Sequence, residues 1–408
     1  MAERALAPRS PRHRRGTQLP VRHRPGRGVS VVPRTLVVTN DFPPRQGGIE
    51  TFVYQVARRF PAGEVVVYTS ATPGSAEFDA AQPFPVVRDP ARTLLPTPRV
   101  SARAAELLRA HGCTRVWFGA AAPLGLMAPR LRRAGAERIV ATTHGHELWW
   151  AKVPIARGLL CRVCDGADTV TYLGEYTRTR IARAVGPRGA ARLARLAPGV
   201  DHEEFRPRSD GGAVRRELGL GDDPVVVCVA RLKPRKGQDT LIRALPAVRR
   251  AVPGTRLLVV GSGSYAGRLR ALARREGVED AVVFTGGLPH DRVAPLYAAA
   301  DVFAMPCRTR RLGLEAEGLG IVFLEAAAAG LPVVVGDSGG APDAVRDGET
   351  GHVVDGGSTE DVAARLTELL LDAEAARGLG EEGRAWVCRE WDWDRSYRTL
   401  AGLLSHDG

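Results

Sequence analysis

Two glutamates, Glu317 and Glu325, are separated by the seven residues Gly318-Leu319-Gly320-Ile321-Val322-Phe323-Leu324, and an Ala-rich run follows to Gly330. That run predicts a helix starting near Gly320, with Glu317 before it and Glu325 about one turn inside. One carboxylate can then face a sugar while the other accepts hydrogen bonds from ribose hydroxyls. The N–H groups of Gly320, Ile321 and Val322, at the positive end of the helix, suit a diphosphate held between them. By spacing alone the pair of glutamates means little, and a second cluster gives it weight. Arg231-Leu232-Lys233-Pro234-Arg235-Lys236-Gly237 puts four cations where a helix begins at about Gln238. Arg231 can grip a phosphate bidentately, and Lys236 can act as a compact point charge on the same leaving group. A charge run is usually a solvated face. Here a strand end, a helix start and two of only three lysines coincide, which points to anion binding.

Other strand-end loops carry weaker signals. Asn40-Asp41-Phe42-Pro43-Pro44-Arg45-Gln46-Gly47-Gly48 leads into a helix from about Ile49 that turns Phe52, Val56 and Phe60 inward. Gly47 and Gly48 let a phosphate or sugar approach backbone N–H groups, and they equally make an ordinary tight turn. Thr142-Thr143-His144-Gly145-His146-Glu147 crowds two His and a Glu together. His144 can hydrogen-bond a substrate hydroxyl or handle a proton, or simply cap its loop. The spacing lacks the i, i+4 histidine pair of a zinc protease helix, so no metal is expected there. Gly261 and Gly263, like Gly286 and Gly287, form turns against which a planar base can rest, or plain connections. Trp149 and Trp150 suit core packing, and Trp also suits an amphipathic interface. Cys161 and Cys164 have metal-ligand spacing without a second pair, and on a helix they share a face.

All of these clusters need strands and helices to hold them. From residue 35, short β-branched runs alternate with helical patterns, which predicts an α/β fold of parallel sheets covered by helices. The strand-like runs are 35–39, 64–69, 115–118, 138–143 and 168–172, then 224–230, 256–260, 281–285, 301–305 and 332–335. Two doubly wound, Rossmann-like domains facing a cleft result, and in such sheets ligands bind beyond the carboxyl ends of the strands. A length of 408 residues suits two domains, and 44% hydrophobic with 25% charged residues excludes a disordered or fibrous chain. No apolar run approaches the roughly 20 residues of a membrane-spanning helix.

The domain break is expected at Ala197-Pro198-Gly199-Val200-Asp201. This gives an N-terminal domain over 34–200, a C-terminal domain over 201–388, and a final segment 389–408. In that segment Trp391, Trp393 and Tyr397 read as one helical pattern that crosses back to the first domain. The formal charge is +13, of which eight Arg and one Glu in residues 1–33 supply +7, leaving a mildly basic body. Residues 1–33 read as a disordered basic leader rather than a secretion signal, with a basic arm for anionic membrane or nucleic acid as the alternative. Six scattered cysteines without a secretion signal argue for reduced thiols and a cytoplasmic protein.

Together, Glu317, Glu325, Arg231 and Lys236 resemble the retaining nucleotide-sugar glycosyltransferases of the GT-B fold, over nearly all of residues 34–404. Closer still, 38–45, Trp117-Phe118-Gly119-Ala120-Ala121-Ala122-Pro123, 143–147 and Ala304-Met305-Pro306-Cys307-Arg308-Thr309-Arg310 look like the actinobacterial mannosyltransferases that act on phosphatidylinositol monomannoside. That resemblance implies GDP-mannose as donor, a membrane-embedded lipid acceptor, an α-1,6 linkage and retention of configuration. It places Arg231 and Lys236 on the diphosphate, Glu325 on the ribose, Glu317 near the transferred sugar, His144 on that sugar's hydroxyls, and Gly47 and Gly48 at the cleft floor. It further implies front-face attack, the acceptor hydroxyl giving its proton to the leaving phosphate. No tightly bound cofactor follows, and Arg231, Lys236 and the helix start leave no requirement for a divalent metal. The location implied is cytoplasmic, peripheral on the inner face of the plasma membrane.

The stretch with Arg92, Arg99, Arg103 and Arg109 beside Leu94, Leu95, Val100, Leu107 and Leu108 can lie on anionic lipid or be a solvated amphipathic face. Within the enzyme class the alternative is a related transferase with another sugar nucleotide or another lipid or glycan acceptor. A nucleic-acid-binding protein is disfavoured because the charge excess sits in the leader and no helix-turn-helix or zinc module is evident. A nicotinamide dehydrogenase is disfavoured because Pro43-Pro44 replaces the glycine fingerprint. Nothing in the sequence speaks to oligomeric state.

Overall fold

β-branched runs become the strands of two parallel sheets. The first holds β1 (Arg34–Val38), β2 (Val65–Ser70), β3 (Val86–Asp89), β4 (Cys113–Phe118), β5 (Arg138–Thr142), β6 (Thr169–Tyr172) and β7 (Leu193–Arg195), in the order β3-β2-β1-β4-β5-β6-β7. The second holds β8 (Val225–Val229), β9 (Arg256–Val260), β10 (Val282–Gly286), β11 (Val302–Met305), β12 (Val333–Gly336) and β13 (Gly351–Val354), in the order β10-β9-β8-β11-β12-β13. Every pairing within these sheets is parallel. This computed structural model describes residues 33–405 apart from 46, 146, 209, 290 and 291. The expected leader therefore lies outside the described residues except for Pro33, as do His146 and the last three residues of the 389–408 segment.

Strand order reverses between β1 and β4 in the first sheet and between β8 and β11 in the second. At such a reversal the following helices leave to opposite faces and a crevice opens beyond the carboxyl ends. The loops after β1, β4, β8 and β11 are thereby set around the cleft, and they carry Gly47, Arg231, Lys236, Glu317 and Gly320.

Pleating explains why the first sheet has two cores. Leu36, Val38, Val66, Tyr68, Val116 and Phe118 point to one face, where they pack with the helix Pro98–Ala110. The intervening Val37, Val65, Val67 and Trp117 point to the other, against the helix Gly48–Ala57 and the final helix Trp393–Leu404. Arg138 donates from Nε to the Leu403 carbonyl at 2.8 Å, a cation at the C-terminus of that final helix.

The expected single helical pattern around Trp391, Trp393 and Tyr397 is broken at Asp392. There the helix Ala373–Glu390 has ended, and Asp392 caps the next helix by accepting the Asp394 N–H at 3.2 Å. Trp391 is buried in the core of the second sheet and Trp393 in the core of the first. Alongside, Val200 donates its N–H to the Trp391 carbonyl at 2.9 Å. A Cβ on Gly199 would collide with the Trp393 backbone, so the two chain crossings between the sheets are in direct contact.

Candidate active site

The loop after β8 closes with a single 3₁₀ turn, Pro234–Lys236, and enters the helix Gln238–Ala251 through Gly237. Gly237 has φ +77°, and a Cβ there would run into the Pro306 carbonyl, so only glycine fits the turn. Arg308, from the loop after β11, fastens the same turn. Its N–H donates to the Arg235 carbonyl at 2.9 Å, and its guanidinium reaches Asp239 at 2.7 and 2.9 Å and the Thr240 hydroxyl at 2.9 Å. Burial pushes the Asp239 carboxyl up, but Arg308 and Arg243 outweigh this and hold it below its ordinary range.

So fixed, the turn aims two cations at one carboxylate. Lys236 Nζ lies 2.6 Å and Arg235 Nη1 2.5 Å from Glu317 Oε2. Glu317 is 7% exposed, and its backbone is pinned from the loop after β12, where the Gly340 N–H donates to its carbonyl at 2.9 Å. Burial would raise its carboxyl, but the charges of Lys236 and Arg235 hold it at about 2. Arg235 belongs to the four-cation run, yet nothing in the sequence tells which of the four turn inward. Arg231 stands exposed at the end of β8, with no carboxylate partner for its guanidinium among the described residues.

A carboxyl held at about 2 is ionised at and above pH 4.5. Because it is lowered from 4.5, its contribution to folding is complete above pH 4.5 and is lost as pH falls toward 2. Turnover is therefore expected to show no limb from Glu317 at or above pH 4.5, and acid unfolding of Glu317→Gln should be flatter between pH 4.5 and 2. Rate profiles and denaturation curves across that window check both.

His144 follows β5 and meets this site from the first domain. Its Nε2 lies 2.6 Å from the Gly119 carbonyl. A carbonyl only accepts, so Nε2 carries a proton and donates it to Gly119. The ring stands edge-on to Phe52 at 5.1 Å, and the His144 N–H donates to Glu147 Oε2 at 2.9 Å. A Cβ on Gly318 would stand 2.8 Å from the His144 carbonyl oxygen, so the backbones of the two domains touch between His144 and Glu317.

The helix that follows this contact carries further candidates. Gly320, with φ +92°, precedes the helix Ile321–Ala328, and Ile321 packs against the cluster of Phe52, Trp117 and Trp393 from the first domain. Glu325 lies inside that helix, 7% exposed, and Oε2 accepts the Tyr297 hydroxyl at 3.0 Å. Tyr297 carries no sequence signal that separates it from an ordinary core aromatic. Gly47 is overhung by the Glu50 carboxylate, while a Cβ on Gly48 would touch nothing within 4 Å. Gly261 and Gly263 let the loop after β9 lie on the backbone of Ala230 and Leu232, next to Arg231. Cys161 and Cys164 share the helix Pro154–Gly166, and burial pushes the Cys164 thiol up to about 12.

A second contact crosses between the domains. The helix Glu175–Ala190 begins after Gly174 without a capping side chain of its own. Asp343, in the turn Ala341–Ala344 after β12, accepts the Tyr176 N–H at 3.4 Å and supplies a carboxylate to that helix start. Asp343→Ala is expected to lose about 1 kcal/mol of this contact between the domains, seen as a lower denaturation midpoint at unchanged slope.

Comparison with known proteins fits this geometry. A family model described as glycosyl transferases group 1 matches residues 213–386, and one described as glycosyltransferase family 4 matches residues 46–204. The GDP-mannose-dependent alpha-(1-6)-phosphatidylinositol monomannoside mannosyltransferase of Mycobacterium tuberculosis is 50% identical over 381 residues, covering 92% of this chain and 98% of that protein. The corresponding monoacylated phosphatidylinositol monomannoside enzyme of Corynebacterium glutamicum is 43% identical over 92% of this chain and 98% of its own length. The solved structure of Anabaena HepE in complex with UDP superposes with a TM-score of 0.77 at 22% identity, over 91% of this chain and 99% of that one, which shows the shared fold. With two parallel-sheet Rossmann-like domains and 50% identity over 92% of its length to the Mycobacterium tuberculosis enzyme, the chain belongs to the group 1 glycosyltransferases of GT-B fold, in the family of the GDP-mannose-dependent mannosyltransferases.

Proposed function

We propose that this chain transfers mannose from GDP-mannose to a phosphatidylinositol monomannoside, forming an α-1,6 linkage with retention of configuration. The observation that carries the reading is the 50% identity, through both sheets, to enzymes of that name. Residues 34–200 then act as the acceptor-binding domain, 201–388 as the nucleotide-sugar domain and 389–408 as the returning segment. Arg231 and Lys236 hold the diphosphate with the N–H groups of Gly320, Ile321 and Val322. Glu325 takes the ribose, Gly261 and Gly263 border the base, and Gly47 and Gly48 floor the cleft. Glu317 and His144 face the transferred sugar. The exposed guanidinium of Arg231 and the convergence of Lys236 on Glu317 support these roles.

As GDP departs, its growing negative charge is met by fixed cations and a helix start, an arrangement that needs no reorganisation during the reaction. These groups supply the positive charge, so the reading calls for no tightly bound divalent metal, and turnover should be unchanged by a chelator. No helix among the described residues is long and apolar enough to cross a membrane, and the enzyme works in this reading as a peripheral protein on the cytoplasmic face of the plasma membrane. Incubation with GDP-mannose and phosphatidylinositol monomannoside, read by lipid mass and GDP release, tests it. Gain of one hexose that Glu317→Ala abolishes is expected. GDP release without a lipid product overturns the acceptor, and turnover only with another sugar nucleotide overturns the donor.

A further inference from the structure

Among the described residues six large apolar side chains stand well exposed, and four of them, Trp149, Val153, Ile155 and Leu314, belong to two segments that meet at the cleft. The short helix Leu148–Lys152 begins four residues beyond His144, at the carboxyl end of the first sheet. It buries Leu148 and leaves Trp149 43% exposed, its ring 5.3 Å from that of Trp150. Val153 follows at 40%, and Ile155, in the first turn of the helix Pro154–Gly166, is 82% exposed. Across the cleft Leu314, 53% exposed, follows β11. Gly313 beside it comes so near Lys152 that a Cβ there would collide with the ammonium. The two apolar segments thus flank one contact between the domains, a few residues from His144 and Glu317.

The charge around them is predominantly positive. Residues 148–158 contain Lys152 and Arg157 and no acid, and both cations are exposed. Arg310 and Arg311 border Leu314 and share a single carboxylate, Glu315, at 3.7 and 3.1 Å. Exposed Trp and aliphatic side chains within a cationic border match the boundary between phospholipid headgroups and acyl chains. The other candidate lipid surface, the stretch from Arg92 to Arg109, is used differently. Leu94, Val100, Leu107 and Leu108 are buried in the core, which leaves only Leu95 exposed among its large apolar residues. Arg99 is bound by Asp89 at 2.8 and 2.9 Å, and Arg103 by Glu106 at 2.8 Å.

We propose that Trp149, Val153, Ile155 and Leu314 form the surface by which this chain docks on an anionic phospholipid bilayer, the surrounding cations facing lipid phosphates. The cleft mouth then opens onto the membrane, and an acceptor headgroup reaches His144 and Glu317 while its acyl chains stay in the bilayer. This rests on the reading of a lipid acceptor given above.

Flotation of the full chain with phosphatidylcholine vesicles containing phosphatidylinositol tests it, at low and high salt. The basic residues 1–33 are the same in every variant, and purely electrostatic binding is screened by salt whereas apolar insertion persists. The wild type is expected to keep a salt-resistant fraction. Trp149→Ser with Ile155→Ser should lower that partition at least about tenfold, and Ile155→Ser alone by less. Affinity for GDP should be unchanged in both, which certifies the fold. A double variant that floats like the wild type at high salt overturns the surface and leaves the lipid acceptor standing. A wild type that binds no vesicles also overturns the surface; hexose transfer to detergent-dispersed acceptor then separately decides the acceptor.

Discussion

Lys236→Ala is expected to lower hexose transfer by about 10³-fold, the upper end of what removing one preorganised charge costs an enzyme. Lys236 is 9% exposed, and its ammonium sits 2.6 Å from a carboxylate held at about 2. A charge so enclosed is screened little by solvent, so its loss is felt in full by a developing diphosphate. Folding should suffer much less, by about 1 kcal/mol, because Arg235 remains 2.5 Å from the same oxygen and keeps Glu317 paired. Lys236→Arg should restore little, since a planar guanidinium cannot occupy the place of a compact ammonium inside a single 3₁₀ turn. Circular dichroism, thermal melting and a transfer assay on the three proteins decide the matter. A folded Lys236→Ala enzyme of ordinary rate would remove the lysine from the leaving-group site.

All but one of the strands that the sequence announces lie inside the sheets, the exception being the edge strand β10. The runs at Val225–Val229 and Arg256–Val260 are β-branched or aliphatic nearly throughout and fall within a residue of their observed ends. β3, β7 and β13 give no comparable signal, and each is an edge strand. Val86-Val87-Arg88-Asp89, Leu193-Ala194-Arg195 and Gly351-His352-Val353-Val354 are short and half polar, as edges need to be if they are not to pair with other chains. The strand signal therefore fades at three of the four sheet edges and survives at β10, where Val282, Val283 and Phe284 keep an apolar run.

The site was legible in a similar way. Strand ends and helix starts located the loops, and chemistry chose Glu317, Lys236 and His144. What a linear reading lacked was direction. Arg235 and Lys236 both turn to Glu317 while Arg231 does not, and that depends on the Gly237 turn and on Arg308, fixed from 68 to 73 positions away by Asp239, Thr240 and the Arg235 carbonyl. Trp391 and Trp393 make the same point. They are two residues apart yet lie in different cores, because Asp392 starts a new helix between them.

Glu317→Gln is expected to separate binding from turnover. In the structure Glu317 holds Arg235 and also Lys236, the cation proposed above for the diphosphate, and its own negative charge opposes an approaching anion. Amide in place of carboxylate removes the competitor and the repulsion at nearly constant shape. GDP should bind about tenfold more tightly, for a change of about 1.4 kcal/mol. Transfer should nevertheless fall by roughly 10²-fold or more, because a charge that is useful only when positive charge grows on the sugar is gone. Tighter ground-state binding with slower chemistry is the mark of a group whose interaction strengthens along the reaction. Calorimetry with GDP and single-turnover transfer measure the two quantities independently. Should GDP affinity fall together with the rate, Glu317 serves to hold Lys236 and Arg235 in place, and its action on the sugar is ruled out.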